Sequence, residues 1–258
     1  MPVLARPGGD ISYEVTGSGD PPLLLTHGYG ATSAMFGQNL PAASARNQVV
    51  TWDIRGHGGS ESPAEPDSYS ADAALADMAA LLAEVGISRA VLGGHSLGGY
   101  LSLDFALRHP DQIAGLVLIG TGPGFRNDAA RDDWNRRAHK TADRLLERGL
   151  AALGNSSELH SQHRDVGGLA RAARHTLTQR DSHVIDGLAG IGVPVLVIVG
   201  AEDKPFQAAA EYMAAKLPRA RKVVIPAAGH APNVDQPEQF NAELRAFLDE
   251  VAATKDAP

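Results

Sequence analysis

Six short runs of β-branched and leucine residues recur along this chain of 258 residues, and each ends before glycine, proline or a polar residue. Stretches rich in alanine and leucine, with helical spacing, lie between them. The runs are residues 23–25, 49–52, 90–92, 116–119, 195–199 and 223–225, and the helical stretches are 71–85, 97–108, 207–217 and 237–251. Apolar runs of this length are typical of buried parallel strands. Their alternation with helices predicts an α/β fold, with helices on both faces of a parallel sheet.

The segment at residues 11–15 departs from this pattern. Its side chains alternate between apolar and polar, and the sequence Thr-Gly-Ser-Gly-Asp follows at 16–20. Strict alternation indicates a half-buried strand, and the glycines favour a turn. We therefore expect an antiparallel hairpin at the edge of the sheet.

Residues 121–190 contain no strand-like run and are rich in Arg, Ala and His. This predicts a helical cap inserted into a core formed by residues 1–120 and 191–258. Its first helix is expected to begin at Asn127 or Asp128 and to end near Gly149. The inward positions expected on that helix are Trp134, Ala138, Leu145 and Leu146. The cap carries 11 Arg and Lys against 9 Asp and Glu, a net charge of +2, which leaves −9 for the core.

Composition excludes several classes of function. The net charge of −7 gives no electrostatic basis for binding nucleic acid. Cysteine is absent, so disulfides, thiolate metal sites and cysteine nucleophiles are excluded. No secretory signal, membrane-spanning run, P-loop or G-x-G-x-x-G motif is visible. We expect a cytoplasmic protein that binds neither membranes nor nucleotide cofactors.

The most specific motif is the sequence Gly-His-Ser-Leu-Gly at residues 94–98, which follows a predicted strand and precedes a predicted helix. A serine on a sharp strand-to-helix turn has a strained backbone, and its flanking glycines avoid collisions with the neighbouring strand and helix. The turn also places Ser96 at a helix N-terminus, which favours developing negative charge. The context predicts that Ser96 is a nucleophile.

A serine nucleophile needs a base, and the base needs a carboxylate to orient it. Asp203 follows the strand predicted at 195–199, and Glu202 competes for the same role one residue earlier. His230 follows the last predicted strand. The order serine, acid, histidine is the order that accompanies a strand-turn-helix nucleophile.

With these motifs the chain resembles an α/β-hydrolase-fold serine hydrolase of the carboxylesterase type, over residues 9–252 except the cap. Residues 27–30 resemble the family's oxyanion loop, and residues 52–60 resemble the loop after its next strand. The resemblance implies a mostly parallel eight-stranded sheet with the cap inserted after the sixth strand. It also implies that Asp203 is the acid and that the backbone N–H groups of Tyr29 and Leu97 form the oxyanion hole.

Five apolar side chains near these motifs are candidates for a substrate pocket, with core packing as the alternative for each: Met35, Phe36, Phe125, Trp134 and Phe206. His27 and His57 are expected to brace loops, and Asp53 and Arg55 to form one hydrogen-bond network beneath the site. The cap histidines have no metal-ligand spacing, so we expect solvated side chains and no metal at His139, His160, His163, His175 and His183.

The resemblance implies cofactor-free hydrolysis of small to medium carboxylic esters or lactones through an acyl-enzyme. A cap of about 70 residues over the site would limit substrate size. Because one fold supports many chemistries, three alternatives stay open: a C–C bond hydrolase of dienoate ketones, a cofactor-free perhydrolase or haloperoxidase, and a non-catalytic ligand receptor. The expected partner is a small-molecule substrate, and the sequence leaves a homodimer open.

Overall fold

The computed structural model describes residues 2–154, 156–159 and 162–255. It contains an eight-stranded sheet in the order β1-β2-β4-β3-β5-β6-β7-β8. The strands are β1 (Val3–Leu4), β2 (Ile11–Thr16), β3 (Leu23–Thr26), β4 (Val49–Trp52), β5 (Ala90–His95), β6 (Ile113–Ile119), β7 (Val195–Gly200) and β8 (Ala220–Ile225). Strands β3 to β8 pair in parallel, and β2 is antiparallel to both of its neighbours. The predicted fold class is confirmed.

Strand β2 forms the predicted antiparallel hairpin at the edge of the sheet, but its partner in the hairpin is β1, which precedes it in the chain. Strand β2 also pairs with β4, with Tyr13 opposite Trp52, and only the two-residue strand β1 lies outside it. The turn at residues 16–20 does not close a hairpin, because the chain passes β4 to reach β3. Strand β3 therefore lies between two parallel neighbours, β4 and β5. Its Leu23 and Leu25 side chains are completely or almost completely buried.

Helices cover both faces of the sheet. They are α1 (Leu40–Ala43), α2 (Ala71–Glu84), α3 (Leu97–Arg108), α4 (Asp128–Arg148), α5 (Val166–His175), α6 (His183–Gly187), α7 (Lys204–Lys216), α8 (Pro232–Asp235) and α9 (Pro237–Lys255). Successive side chains of a strand point to opposite faces. Leu24 accordingly belongs to the core cluster that contains side chains of α2, α3 and α7, whereas Leu23 and Leu25 belong to the cluster that contains side chains of α9. Helix α3 has the predicted bounds. Helix α7 begins three residues before the predicted start, because proline is tolerated in the first turn of a helix and Pro205 lies there.

Helices α4 to α6 lie between β6 and β7 in the chain. Helix α4 begins after Asn127, whose side chain accepts a hydrogen bond from the Ala130 N–H at 3.0 Å. Ala138 and Leu145 are buried, and Leu145 packs with Leu169 of α5. The inward prediction for Leu146 is wrong, because its side chain is 60% exposed. Neighbouring residues on a helix point about 100° apart, so α5 covers only one of the two leucines.

None of the helices in residues 2–154, 156–159 and 162–255 is both long and apolar enough to cross a membrane.

Candidate active site

Ser96 occupies the sharp turn between β5 and α3. Its backbone is strained, with φ 49° and ψ −110°. A Cβ at Gly94 would lie 2.2 Å from backbone atoms of Gly98, and a Cβ at Gly98 would lie 2.1 Å from the Thr26 carbonyl oxygen. Both contacts are too close for any side chain, so the turn requires glycine at both positions. The predicted reason for the two flanking glycines is confirmed.

Asp203 and His230 meet at the ends of neighbouring strands β7 and β8. The Nδ1–H of His230 donates to Oδ2 of Asp203 at 2.8 Å. The Asp203 side chain is buried, with 4% exposed, whereas the His230 side chain is 30% exposed. Glu202, the competing acid, is exposed to solvent. The carboxylate that orients the histidine is therefore that of Asp203.

The end of β6 brings Ser96 next to the His230 loop. The Ser96 N–H donates to the Ile119 carbonyl at 2.9 Å, and the Thr121 hydroxyl donates to the Ser96 carbonyl at 2.6 Å. Gly120 lies between Ile119 and Thr121 in the chain, and a Cβ at Gly120 would lie 2.4 Å from the His230 carbonyl oxygen. His95 makes a second link, because its Nε2 lies 3.0 Å from that same oxygen. Ser96, Asp203 and His230 thus share one edge of the sheet.

The two residues expected to supply the oxyanion hole flank Ser96. Residues 28–31 form a turn in which the Ala31 N–H donates to the Gly28 carbonyl at 3.1 Å, so the Tyr29 N–H takes no part in closing it. A Cβ at Gly28 would lie 3.3 Å from the Ser96 Cβ, which shows how close this loop comes. Leu97 is the first residue of α3, and a helix leaves its first N–H groups without internal partners.

His27 and His57 brace these loops, as predicted. Nε2 of His27 accepts a hydrogen bond from the Ile54 N–H at 2.9 Å, and Nε2 of His57 accepts from the Gly30 N–H at 3.1 Å. Each ring's Nδ1–H then donates to a nearby carbonyl, at 2.7 Å for His27 and 3.1 Å for His57. Both rings are neutral, because a protonated ring has no nitrogen left to accept a hydrogen bond.

The histidines at the site make stability sensitive to acid. Burial lowers the pKa of His27, and it holds the pKa values of His57 and His95 well below the usual 6.5. Below pH 6.5 the unfolded chain therefore binds protons that the folded protein does not. Each such histidine lowers the free energy of unfolding by up to about 1.4 kcal/mol per pH unit as the pH falls. We expect a steep loss of stability between pH 6.5 and about 5.5, measured by urea unfolding.

His183 provides the control for this prediction, because it is exposed. His183→Gln is expected to leave the pH dependence unchanged, whereas His57→Gln is expected to flatten it. A free energy of unfolding that stays constant between pH 7 and 5.5 would contradict the prediction.

His163 shows that the expectation of solvated cap histidines is wrong at this position. Its Nε2–H donates to the Gly30 carbonyl at 3.0 Å, and its Nδ1 accepts from the Gly58 N–H at 3.2 Å. Burial lowers its pKa. This histidine therefore ties the inserted helices to the loop that carries Tyr29. His160 lies outside the described residues. Within them, no group of three or more His, Asp or Glu side chains is arranged to hold a metal ion.

Asp53 and Arg55 belong to two networks rather than the single one predicted. The Asp53 carboxylate accepts from the N–H groups of Ser33 and Gly59, each at 2.7 Å. The Arg55 guanidinium instead forms a two-point ion pair with the buried carboxylate of Asp77, at 2.7 and 2.8 Å. The separation follows from the sharp loop after β4, which turns the two side chains toward different neighbours.

A cavity of about 270 Å³ opens beside Ser96, between α3 and α4. Phe125, Trp134 and Phe206, three of the five predicted pocket residues, lie in its walls. Phe206 also packs against the His230 ring, with ring centroids 4.7 Å apart. The other two candidates are placed elsewhere.

Met35 and Phe36 lie in the apolar core on the α9 face of the sheet, so their prediction as pocket residues is wrong. The short helix at Ser33–Phe36 directs both side chains inward, and Phe36 is completely buried.

Sequence reasoning missed Tyr100 and Gln179, which also line the cavity. A signal existed for Tyr100, which lies four residues, or one helical turn, after Ser96. Gln179 carries no local signal, because its position depends on how the segment after α5 packs against α4.

The comparisons with known proteins agree with this architecture. A model of the alpha/beta hydrolase family matches residues 23–243. The pimeloyl-(acyl-carrier protein) methyl ester esterase of Aeromonas hydrophila is 30% identical over 266 aligned positions, covering 92% of this chain and 99% of that protein.

Two solved structures are similar over almost the whole chain. An esterase from Thermogutta terrifontis is 28% identical with a TM-score of 0.82, covering 96% of this chain and 97% of that one. The enol-lactonase from Burkholderia xenovorans LB400 is 26% identical with a TM-score of 0.78, covering 96% of this chain and 100% of that one. With a family match over most of its length and the same fold, the chain belongs to the alpha/beta hydrolase family.

Proposed function

We propose that the chain hydrolyses small to medium carboxylic esters or lactones through an acyl-enzyme on Ser96. The observation that carries this proposal is the hydrogen bond of 2.8 Å between His230 Nδ1 and Asp203 Oδ2, at the sheet edge where Ser96 opens onto an apolar cavity. The named activities of the relatives, a methyl ester esterase and an enol-lactonase, support the same substrate class.

The first half of the reaction forms the acyl-enzyme. Asp203 holds the Nδ1–H of His230, which leaves Nε2 as the basic nitrogen. Nε2 takes the proton of the Ser96 hydroxyl as Oγ attacks the ester carbonyl carbon. The Asp203 carboxylate then stabilises the positively charged imidazolium. When the tetrahedral intermediate collapses, the C–O bond to the alcohol breaks and the alcohol leaves with the proton from His230.

The second half regenerates the serine. Water gives a proton to Nε2 of His230 and attacks the acyl carbon, and the Ser96 oxygen leaves with that proton as the acid is released. In both halves the backbone N–H groups of Tyr29 and Leu97 stabilise the negative carbonyl oxygen. Such donors act because they are already oriented before charge develops.

The cavity limits the substrates. Its volume of about 270 Å³ is below the range of about 300–1,000 Å³ that is usual for drug-sized ligands. Phe125, Trp134 and Phe206 make its walls largely apolar. We therefore favour short acyl or alcohol groups over the chains of triglycerides.

The test combines covalent labelling with a series of substrates. A fluorophosphonate probe is expected to label the peptide that contains Ser96, and the Ser96→Ala protein is expected to stay unlabelled. Wild-type protein is expected to hydrolyse p-nitrophenyl acetate and butyrate with kcat/KM values at least as high as that for octanoate.

The other outcomes separate the alternatives. Labelling together with turnover of a dienoate ketone but of no ester would favour C–C bond hydrolysis. Bromination that requires peroxide and acetate would favour a perhydrolase. Tight ligand binding with neither labelling nor turnover would overturn the proposal in favour of a receptor.

A further inference from the structure

The cavity beside Ser96 contains a polar group that the proposed mechanism does not use, the side-chain amide of Gln179. Only 9% of Gln179 is exposed. Its Oε1 is buried and has no hydrogen-bond partner among the described residues. Buried polar atoms without partners are rare in native proteins, because the lost hydration is not replaced. Gln179 also lines the cavity, so a ligand there can supply the hydrogen bond that the protein does not.

The backbone around Gln179 is held firmly by α4. The Gln179 N–H donates to the Asn135 side chain at 2.8 Å, and the Asn135 amide donates back to the Gln179 carbonyl at 2.8 Å. Two residues earlier, the Trp134 Nε1–H donates to the Leu177 carbonyl at 2.9 Å. These three hydrogen bonds fix the segment through its main chain. None of them uses the side-chain amide of Gln179.

Among the described residues, the side chains that line the cavity with Gln179 are neutral apart from one arginine. Burial raises the pKa of the neighbouring Tyr100 to about 12, so its phenol keeps its proton at neutral pH. Arg137 is the charged side chain that lines the cavity in the described part of the chain. It is 76% exposed, and it is bound to Asp133 at 2.6 Å. A carboxylate on a ligand would therefore find no unpaired cation here, whereas a neutral hydroxyl would find an acceptor.

We propose that Gln179 selects hydroxylated substrates, with its Oε1 accepting a hydrogen bond from a neutral hydroxyl on the acyl or alcohol part of the ester that fills the cavity. This inference rests on the proposed function, because it concerns the same cavity. A site that hydrogen-bonds a substrate hydroxyl discriminates against an analogue without it, because the protein's own polar atom then stays unpaired.

The test compares hydroxylated esters with isosteres in which a methyl group replaces the hydroxyl. For the acyl part, the pairs are the p-nitrophenyl esters of 3-hydroxybutyrate and 3-methylbutyrate, and of 6-hydroxyhexanoate and heptanoate. For the alcohol part, 4-hydroxybutyl acetate is compared with pentyl acetate by pH-stat. In at least one pair, the wild-type kcat/KM is expected to favour the hydroxyl by at least about tenfold.

The Gln179→Met variant keeps the length of the side chain but removes the acceptor. It is expected to lower the hydroxyl-to-methyl ratio by at least about tenfold, with the methyl isostere hydrolysed about as well as by wild type. Its Tm is expected to equal or exceed that of wild type, because an unpaired buried polar atom has been removed. Gln112→Met is the control, because Gln112 directly precedes β6, whereas the cavity lies beyond the other end of that strand. It is expected to leave the hydroxyl-to-methyl ratio unchanged.

Two results would overturn the inference. One is a lower Tm with an unchanged ratio in Gln179→Met, which would mean a purely structural role. The other is a preference for the p-nitrophenyl monoester of adipate over both 6-hydroxyhexanoate and heptanoate, which would mean recognition of a carboxylate. Gln179→Leu, which also lacks the acceptor, is the second variant and replaces Gln179→Met if that protein does not fold. The hydroxyl-to-methyl ratios of the wild-type protein test the inference without any variant.

The design separates failure of this inference from failure of the proposed function. If Ser96 is labelled and the methyl isosteres are hydrolysed without any preference for hydroxyl, only the role of Gln179 is wrong. If Ser96 is labelled but no ester is hydrolysed, p-nitrophenyl phosphonates with the same tails give the ratio as inactivation rates. If there is neither labelling nor turnover, the proposed function fails and this inference fails with it.

Discussion

Replacing Ser96 by alanine is expected to lower kcat for p-nitrophenyl butyrate by about 10⁶-fold, which is the scale of losing the nucleophile of a Ser-His-Asp triad. The variant lacks the oxygen that forms the acyl-enzyme, so water alone must attack the ester. KM is expected to change little, because the apolar walls formed by Phe125, Trp134 and Phe206 are left intact. Initial rates corrected for spontaneous hydrolysis give the comparison.

The control is Ser88→Ala, at an exposed serine just before β5, the strand whose other end leads to Ser96. It is expected to retain wild-type rates. Both variants are expected to unfold at the wild-type temperature, since alanine is no less compatible than serine with either backbone. A Ser96→Ala enzyme with more than a tenth of wild-type activity would rule out Ser96 as the nucleophile.

Replacing Asp203 by asparagine is expected to lower kcat by about 10⁴-fold. Asparagine keeps the shape of aspartate, but its amide N–H donates where the carboxylate accepted. Nδ1 of His230 would then become the acceptor, and the proton would move to Nε2. A ring with Nε2 protonated cannot take the proton of Ser96. Loss of the buried carboxylate also removes the charge that stabilises the imidazolium.

Glu202→Gln is the matched control, because it makes the same change of charge one residue earlier on an exposed side chain. It is expected to keep kcat within about threefold of wild type, since exposed charges interact weakly with their neighbours. Equal losses in the two variants would contradict the assignment of Asp203.

Much of the fold was predictable because it depends on local sequence. The apolar runs that became β3 to β8 and the helical stretches that became α2, α3, α7 and α9 are continuous patterns, set by hydrophobic period and by glycine and proline. The turn at Ser96 was predictable for the same reason, since strand, glycines and helix are adjacent in the chain. The family followed from these motifs, and the comparisons confirm it.

The errors involve contacts between distant parts of the chain. Leu146 is exposed because α5 covers only one side of α4. Met35 and Phe36 pack in the core on the α9 face instead of in the cavity. His163 is bonded to Gly30, 133 residues away, and this contact has no local signature. In each case the neighbour that decides the environment lies far along the chain.

The sequence by itself determined the order of strands and helices along the chain, the strained turn at Ser96 and the order of serine, acid and histidine, because each strand, helix and motif is set by residues that are close in the chain. Only the tertiary structure decided that Asp203 rather than Glu202 holds His230, and that Gln179 lies beside the cavity. The physical reason is that a hydrogen-bond partner or a cavity wall depends on where separate elements pack. Differences of a few ångströms, which no local pattern encodes, decide whether two groups meet.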